Sequence, residues 1–279
     1  MGFEILEKIN NIPNKFTIEE KYDKDSYIVA KVVKNKDHAF VKLDKKGKPF
    51  LKIDIDDDDN DEKIPEIRFE PWIPYKIIER LIIFIFGASG KGKTLIAGEI
   101  VKQYKELYKG RVFYICSTKI EDDRTLKGIS HLITQIDASK ICNKKTTEED
   151  MHEILSQGFK NSLVIFDDND MNKNAKTSIF PLRDHIIEKG RKYNISCCFI
   201  SHKNCDSHNT RMLLNEISIY VTYKNKILKN RLLNTYYGFE DKFLKDVKNS
   251  TKSFAWFNFA YEKIVTPYYI KDFSDMSEE

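Results

Sequence analysis

Eight consecutive residues, Gly87-Ala88-Ser89-Gly90-Lys91-Gly92-Lys93-Thr94, carry the pattern G-x-x-x-x-G-K-[ST]. Three glycines let a backbone curl so that successive N–H groups face inward, which suits a phosphate at the positive end of a following helix. Lys93 would reach the β- and γ-phosphates of ATP, and the Thr94 hydroxyl would ligate Mg²⁺. Hydrolysis asks for more: a carboxylate by the metal, a group that aims water, and a cation against the charge that builds on the transferred phosphoryl group. Asp167-Asp168, closing the apolar run Leu163–Phe166, offers the acids. Asp167 would face the metal shell through water, and Asp168 would orient or deprotonate the attacking water. Asp-Asp-Asn-Asp is also ordinary turn chemistry, so the pair gains meaning from the loop upstream. Arg191 is a candidate arginine finger, in its own chain or in a neighbouring subunit's site; the plainer role is a cation at a helix C-terminus. His202, after the apolar run Ile195–Ser201, could sense the γ-phosphate or face solvent in a loop. The catalytic candidates are thus Lys93, Asp168, Arg191 and His202, with Thr94 and Asp167 as metal ligands.

These residues need a scaffold that brings strand ends together. Leu81 to Phe86 has the length and the β-branched and aromatic content of a buried strand, and Leu95 to Tyr108 has helical spacing. Strand, glycine-rich turn and helix in that order form the context in which the motif acts. Further strands are expected at Arg111–Ser117, Leu132–Ile136, Leu163–Phe166, Ile195–Ser201 and Ile217–Thr222. Helices are expected at Glu121–Gly128, within 142–160 behind Thr146 or Thr147 as N-cap, and at Ala175–Lys192. Alternating strands and helices predict an α/β fold, a parallel sheet with helices on both faces. Upstream, Ser26–Val33, His38–Leu43 and Pro49–Ile55 read as a small antiparallel β unit behind a polar, loosely helical lead-in over 1–20. The acidic run Asp54–Glu62 reads as an exposed linker, since like charges repel. The expected organisation is therefore a β unit with its linker over 1–65 and a nucleotide domain over 66–279. That domain has a core at 81–226 and an extension at 227–279. The extension carries a helix at Glu240–Val247 and strand-like runs at Ser253–Phe259 and Glu262–Ile270.

The net charge of +4 is too small to announce a polyanion binder, but it is unevenly spread. Residues 1–80 carry 16 Lys+Arg against 18 Asp+Glu, leaving 31 against 25 for residues 81–279. The excess of positive charge falls on the part with the phosphate loop. Five cysteines in no framework spacing read as small buried hydrophobes in a reducing cytosol, and no zinc spacing exists. No apolar run approaches membrane-spanning length and MGFEILEKIN lacks a signal-peptide profile, so the expectation is a soluble, cytoplasmic protein.

The stretch from about Leu81 to Lys226 resembles the FtsK–HerA class of P-loop ATPases. Its nearest likeness there is to the genome-packaging ATPases of poxviruses, other large cytoplasmic DNA viruses and virophages. FGASGKGKT (Phe86 to Thr94), RVFYICSTKIEDD (Arg111 to Asp123) and SLVIFDDND (Ser162 to Asp170) carry the resemblance. So does GRKYNISCCFISHK (Gly190 to Lys203), similar to the family's Gly-Arg-His-x-x-Ile-Ser helix-to-strand junction. The resemblance implies a RecA-like sheet with an extra strand between the phosphate-loop strand and the strand ending in Asp167. It also implies a homo-oligomeric ring, usually of six subunits, that drives double-stranded DNA through a central channel in the host cytoplasm or virion. A capsid or membrane-vertex partner is implied but not identified. By the same resemblance Lys93 and Thr94 bind phosphate and magnesium, Asp167 belongs to the metal shell, Asp168 takes the place of the catalytic acid and Arg191 that of the arginine. The chain departs from the family in three places: Asp168 stands where Glu is frequent, His202 where glutamine is usual, and Lys192 where His is common.

Two other functions fit these residues. One is a nucleotide-gated binding or scaffold protein that holds ATP and hydrolyses little, suggested by Asp168 and His202. The other is a small-molecule or nucleoside kinase, disfavoured by the long gap before Asp167-Asp168 and the lack of an arginine-rich lid.

Overall fold

The computed structural model describes residues 16–19, 28–34, 37–43, 51–52, 67–74, 80–116, 120–137, 140–143, 145–167, 178–202, 211–228, 230–251 and 253–273. The chain divides into two compact units, one made of Met1–Ile77 with Tyr220–Glu279, the other of Ile78–Ile219.

The first segment supplies five strands: β1 (Phe16–Glu19), β2 (Ile28–Lys34), β3 (Asp37–Leu43), β4 (Leu51–Lys52) and β5 (Ile67–Pro71). Four of them form an antiparallel sheet in the order β1-β3-β2-β5. The expected antiparallel unit is therefore present, with one correction: the helical lead-in gives way to a strand at β1, which pairs Phe16 with Leu43 through Glu19 with Phe40. Thr17 and Ile18 are β-branched, and pairing with β3 outweighs the weak helical tone around them. The acidic run Asp54–Glu62 lies outside the described residues.

Ile78–Ile219 holds the parallel sheet. Its strands are β6 (Ile82–Phe86), β7 (Arg111–Cys116), β8 (Thr134–Gln135), β9 (Ser162–Asp167) and β10 (Ile195–Ser201). Their order is β6-β10-β9-β7-β8, and every printed pair is parallel. Strand β10 thus lies between the phosphate-loop strand and the strand ending in Asp167, as the resemblance implied. Every residue of β6 is buried, and so are Ser162 to Phe166 of β9 and Ile195 to Ile200 of β10. A strand covered on both sides by packed elements needs this unbroken apolar run rather than alternation. Cys197 and Cys198 sit in it fully buried, and burial pushes the Cys197 thiol up to about 12, so neither is a reactive thiol.

Helix α1 (Lys93–Tyr108) buries Ala97, Ile100, Val101, Tyr104 and Leu107 on one stripe and packs against β7 and β10. It ends at Lys109 in the left-handed region, φ 52°, and Gly110 follows where a Cβ would lie 2.8 Å from the Asn161 carbonyl oxygen. Short helix α2 (Arg124–Lys127) starts on Asp123, whose carboxylate accepts from the N–H groups of Thr125 and Leu126. Helix α3 (Glu148–Glu153) starts on Thr147 with a reciprocal capping box to Asp150, one of the two residues the sequence offered for that cap. Helix α4 (Phe180–Lys189) begins later than the expected Ala175, with Pro181 in its first turn; residues 168–177 lie outside the described ones. It packs on β10 and on α5 (Arg211–Glu216).

A buried cation stabilises the exit of α4. Arg80 donates from Nη1 to the carbonyl oxygen of Ile186 at 2.8 Å and from Nη2 to that of Ile187 at 2.5 Å. Its Nη2 also meets Glu216 Oε2 at 3.1 Å. Arg80→Ala strips these carbonyls of a charged donor in a place water does not reach. It is expected to lower unfolding free energy by about 3 kcal/mol, read as a shift of the denaturant midpoint at unchanged slope.

The last segment returns to the first unit with β11 (Ile219–Tyr223), α6 (Asp241–Ser250), β12 (Phe254–Asn258), β13 (Lys263–Val265) and β14 (Tyr269–Asp272). Strands β12, β13, β14 and β4 pair antiparallel in that order. The single run expected at Glu262–Ile270 is two strands. Pro267 has no N–H to give a ladder, and the Thr266 hydroxyl accepts from the N–H groups of Tyr268 and Tyr269 to make the turn. Residues 227–279, assigned from sequence to the nucleotide domain, here share a unit with the N-terminal strands. Pairing of β14 with β4 and the hydrogen bond from Phe69 N to Pro267 O tie the two chain ends together within it.

Candidate nucleotide site

The parallel strands all point the same way, so their carboxyl ends share one edge. Register places Phe86 opposite Ser201, Ile200 opposite Asp167, and Asp167 opposite Cys116. Ligands of open α/β sheets bind at this edge. Gly87 leaves β6 there, and its N–H donates to the Ser201 carbonyl at 3.2 Å, which ties the start of the loop to the end of β10.

The loop has the backbone its glycines allow. Gly90 and Gly92 stand at φ 72° and φ 85°, in the left-handed region that side chains avoid. Ser89, Gly90, Lys91 and Gly92 are exposed, Gly87 is buried and Ala88 half-buried. Gly92 caps α1 with no side-chain acceptor, and no acid lies in the first turn of the helix. The first amide N–H groups are therefore left for an external anion. Lys93 is buried, and its Nζ donates to the Ala88 carbonyl at 3.0 Å. The same ammonium lies 3.2 Å from His202 Nδ1. An ammonium can only donate, so the facing ring nitrogen accepts and is unprotonated. Two residues picked from distant parts of the sequence, Lys93 and His202, thus meet. Thr94 follows half-buried in the first turn of α1.

Asp167 ends β9, partly exposed. The Tyr114 hydroxyl of the neighbouring strand donates to its Oδ2 at 2.6 Å. Burial, with the Asp167 carboxylate adding to it, pushes the phenol far above the usual tyrosine range. Tyr114 therefore keeps its proton and always serves as a donor. Sequence reasoning missed both Tyr114 and Arg80, because a tyrosine or arginine beside an apolar strand carries no local signal of its partner. Asp168 lies outside the described residues.

The structure does not bring Arg191 to this edge. It stands exposed in the turn Gly190–Tyr193 that precedes β10, and Asn161 N donates to Tyr193 O at the start of β9. Strand β10 spans seven residues from there to Ser201, or about 20 Å of extended chain. Arg191 and the loop therefore sit at opposite edges of the same sheet.

The donor set at the carboxyl edge suits a hard cation. Thr94 and Asp167 offer oxygen, and Mg²⁺ takes one or two protein oxygens with phosphates and water making up the rest. Among the described residues no three His, Cys, Asp or Glu side chains gather into an all-protein cage, which such a site does not need. No helix among them is long and apolar enough to cross a membrane.

Comparison with known proteins places this arrangement. The NB-ARC domain family matches residues 75–232, which include the loop, β9 and β10. Protein V3 of Sputnik virophage, described as uncharacterized, is 30% identical over 198 residues, covering 64% of this chain and 75% of V3. Among solved structures, the genome packaging NTPase B204 of Sulfolobus turreted icosahedral virus 2, in complex with AMPPCP, aligns at a TM-score of 0.46 and 13% identity, over 68% of this chain and 99% of that one. EssC (ATPases 2 and 3) from Geobacillus thermodenitrificans aligns at 0.39 and 14%, over 56% of this chain and 33% of that one. Likeness at this level transfers neither activity nor partner. The family match covers more than half of the chain and falls on the residues that build the phosphate loop and its sheet, so this chain belongs to the NB-ARC domain family of P-loop NTPases.

Proposed function

We propose that this protein is an ATP-hydrolysing motor that translocates double-stranded DNA, with viral genome packaging as its task. One observation carries the proposal: the groups that would hold a triphosphate lie at one edge of the parallel sheet, while the Gly190-Arg191 junction lies at the other. A finger placed there serves a neighbour's site rather than its own, so the working form is a homo-oligomeric ring. The FtsK–HerA resemblance of Gly190 to Lys203 supports six subunits and DNA in the channel.

In this reading the loop N–H groups from Gly87 to Thr94 orient the triphosphate and Lys93 pairs with its β- and γ-oxygens. Thr94 and Asp167 would hold Mg²⁺, which when bound supplies neutralisation of the phosphate charge. Asp168 orients the attacking water and accepts its proton. His202, in contact with Lys93, stands where a change at the terminal phosphate is passed to the chain after β10. Arg191 of one subunit meets the charge that develops in the next subunit's site.

The test is the ATPase rate with and without double-stranded DNA, with mass by light scattering in ATP. DNA is expected to raise turnover about tenfold or more and to bind with an affinity that falls steeply with salt, as Lys/Arg contacts release counterions. Turnover indifferent to DNA in a chain that stays monomeric would overturn the motor. Tight ATP binding with almost no phosphate release in a single turnover would identify a nucleotide-gated scaffold instead.

A further inference from the structure

The carboxylate at the end of β9 is not free to choose its direction. A carboxylate turns about a broad, roughly two-fold terminal torsion, so a lone strand-end aspartate samples many orientations. Here the buried Tyr114 removes that freedom. Tyr114 lies two residues before Cys116, which pairs with Asp167 across β7 and β9. Alternation puts Tyr114 and Cys116 on the same sheet face, and the tyrosine ring extends along that face until its hydroxyl reaches Asp167 Oδ2 at 2.6 Å. Tyr114 itself is fully buried, on a strand that is apolar from Val112 to Ile115. Its hydroxyl reaches the partly exposed carboxylate at the ligand edge.

The chemistry of that contact is selective. A phenol is a neutral donor, so Asp167 keeps its full negative charge while one oxygen is anchored. The other oxygen, Oδ1, has no printed partner of this kind and is left to face the edge where the loop lies. We propose that Tyr114 is a positioning residue for the nucleotide's divalent cation. By holding Oδ2 it directs Oδ1 of Asp167 at the cation, or at a water of its shell, that accompanies the triphosphate. The inference rests on the reading that Asp167 belongs to the metal shell, and it assigns Tyr114 a task in metal-dependent nucleotide binding beyond packing.

The experiment uses the full chain and a fluorescent non-hydrolysable ATP analogue, titrated once in EDTA and once in saturating Mg²⁺. The readout is the gain in affinity that the metal brings. Asp167→Asn is expected to lose that gain. Tyr114→Phe, which deletes only the hydroxyl, is expected to cut it about tenfold, with affinity in EDTA and melting temperature close to wild type. In the Asp167→Asn background, Tyr114→Phe is expected to change the gain no further, because the tyrosine acts through the aspartate. Direct titration with Mn²⁺ followed by electron paramagnetic resonance on the nucleotide complex should show the same weakening.

A full metal gain in Tyr114→Phe beside a lost gain in Asp167→Asn overturns the role of Tyr114 and leaves the metal-shell reading intact. Equal loss in EDTA and in Mg²⁺ for Tyr114→Phe marks a packing role and also overturns it. A full gain in Asp167→Asn overturns the metal-shell reading, and the role of Tyr114 with it.

Discussion

Arg191→Ala leaves ATP affinity within about twofold of wild type and lowers turnover by about a thousandfold. Both halves of this expectation follow from where the residue sits. Arg191 stands at the amino end of β10, a strand's length from the phosphate loop of its own chain, so removing it takes nothing from nucleotide binding. Charge that develops on the transferred phosphoryl group is instead met by a guanidinium from outside the chain, and such a group is worth three to five orders of magnitude in turnover. Nucleotide titration and steady-state phosphate release measure the two quantities separately. A mixing experiment decides between the edges. Arg191→Ala subunits retain an intact Lys93, and Lys93→Ala subunits retain an intact Arg191. Co-assembled, they are expected to restore turnover at interfaces where the two intact residues face each other, although each variant alone is inactive. No recovery in a verified mixed ring would overturn action between subunits, and loss of binding equal to the loss of turnover would overturn the finger.

Lys93→Ala is expected to weaken ATP binding by about a hundredfold, the opposite signature. The Lys93 ammonium is buried and held between the Ala88 carbonyl and His202 Nδ1, inside the loop rather than in solvent. A charged donor there makes hydrogen bonds worth about 1.5 to 3 kcal/mol each, and two such bonds to phosphate oxygens account for the hundredfold. The alanine variant leaves the Ala88 carbonyl without its donor and the triphosphate without its nearest cation. Lys93→Arg should not restore binding, because a planar fork does not occupy the place of a compact ammonium in a loop this tight. Fluorescent-nucleotide titration measures both variants, and unchanged affinity in Lys93→Ala would remove the loop from nucleotide binding.

What was legible before any coordinates was local. The glycines at 90 and 92 announce left-handed turns, and a lysine and threonine at the head of a helix announce a phosphate site, because strand, turn and helix are consecutive in the chain. The Thr147 cap was open to the same reading, as its partner Asp150 lies three residues away. Signals of that range weaken where one residue type blocks a pattern, which is how Pro267 divides what looks like a single strand.

Contacts across the sheet have no such signature. The phosphate loop, the apolar strand before it and the acid closing β9 follow from residue order alone, since each depends on neighbours a few positions away. That His202 reaches Lys93, that Tyr114 anchors Asp167, that Arg80 holds the carbonyls at the end of α4, and that Arg191 lies at the far edge all depend on strand order and register. Those are set by pairing between segments up to a hundred residues apart, so packing energy summed over the whole sheet selects them and no short stretch of sequence encodes them.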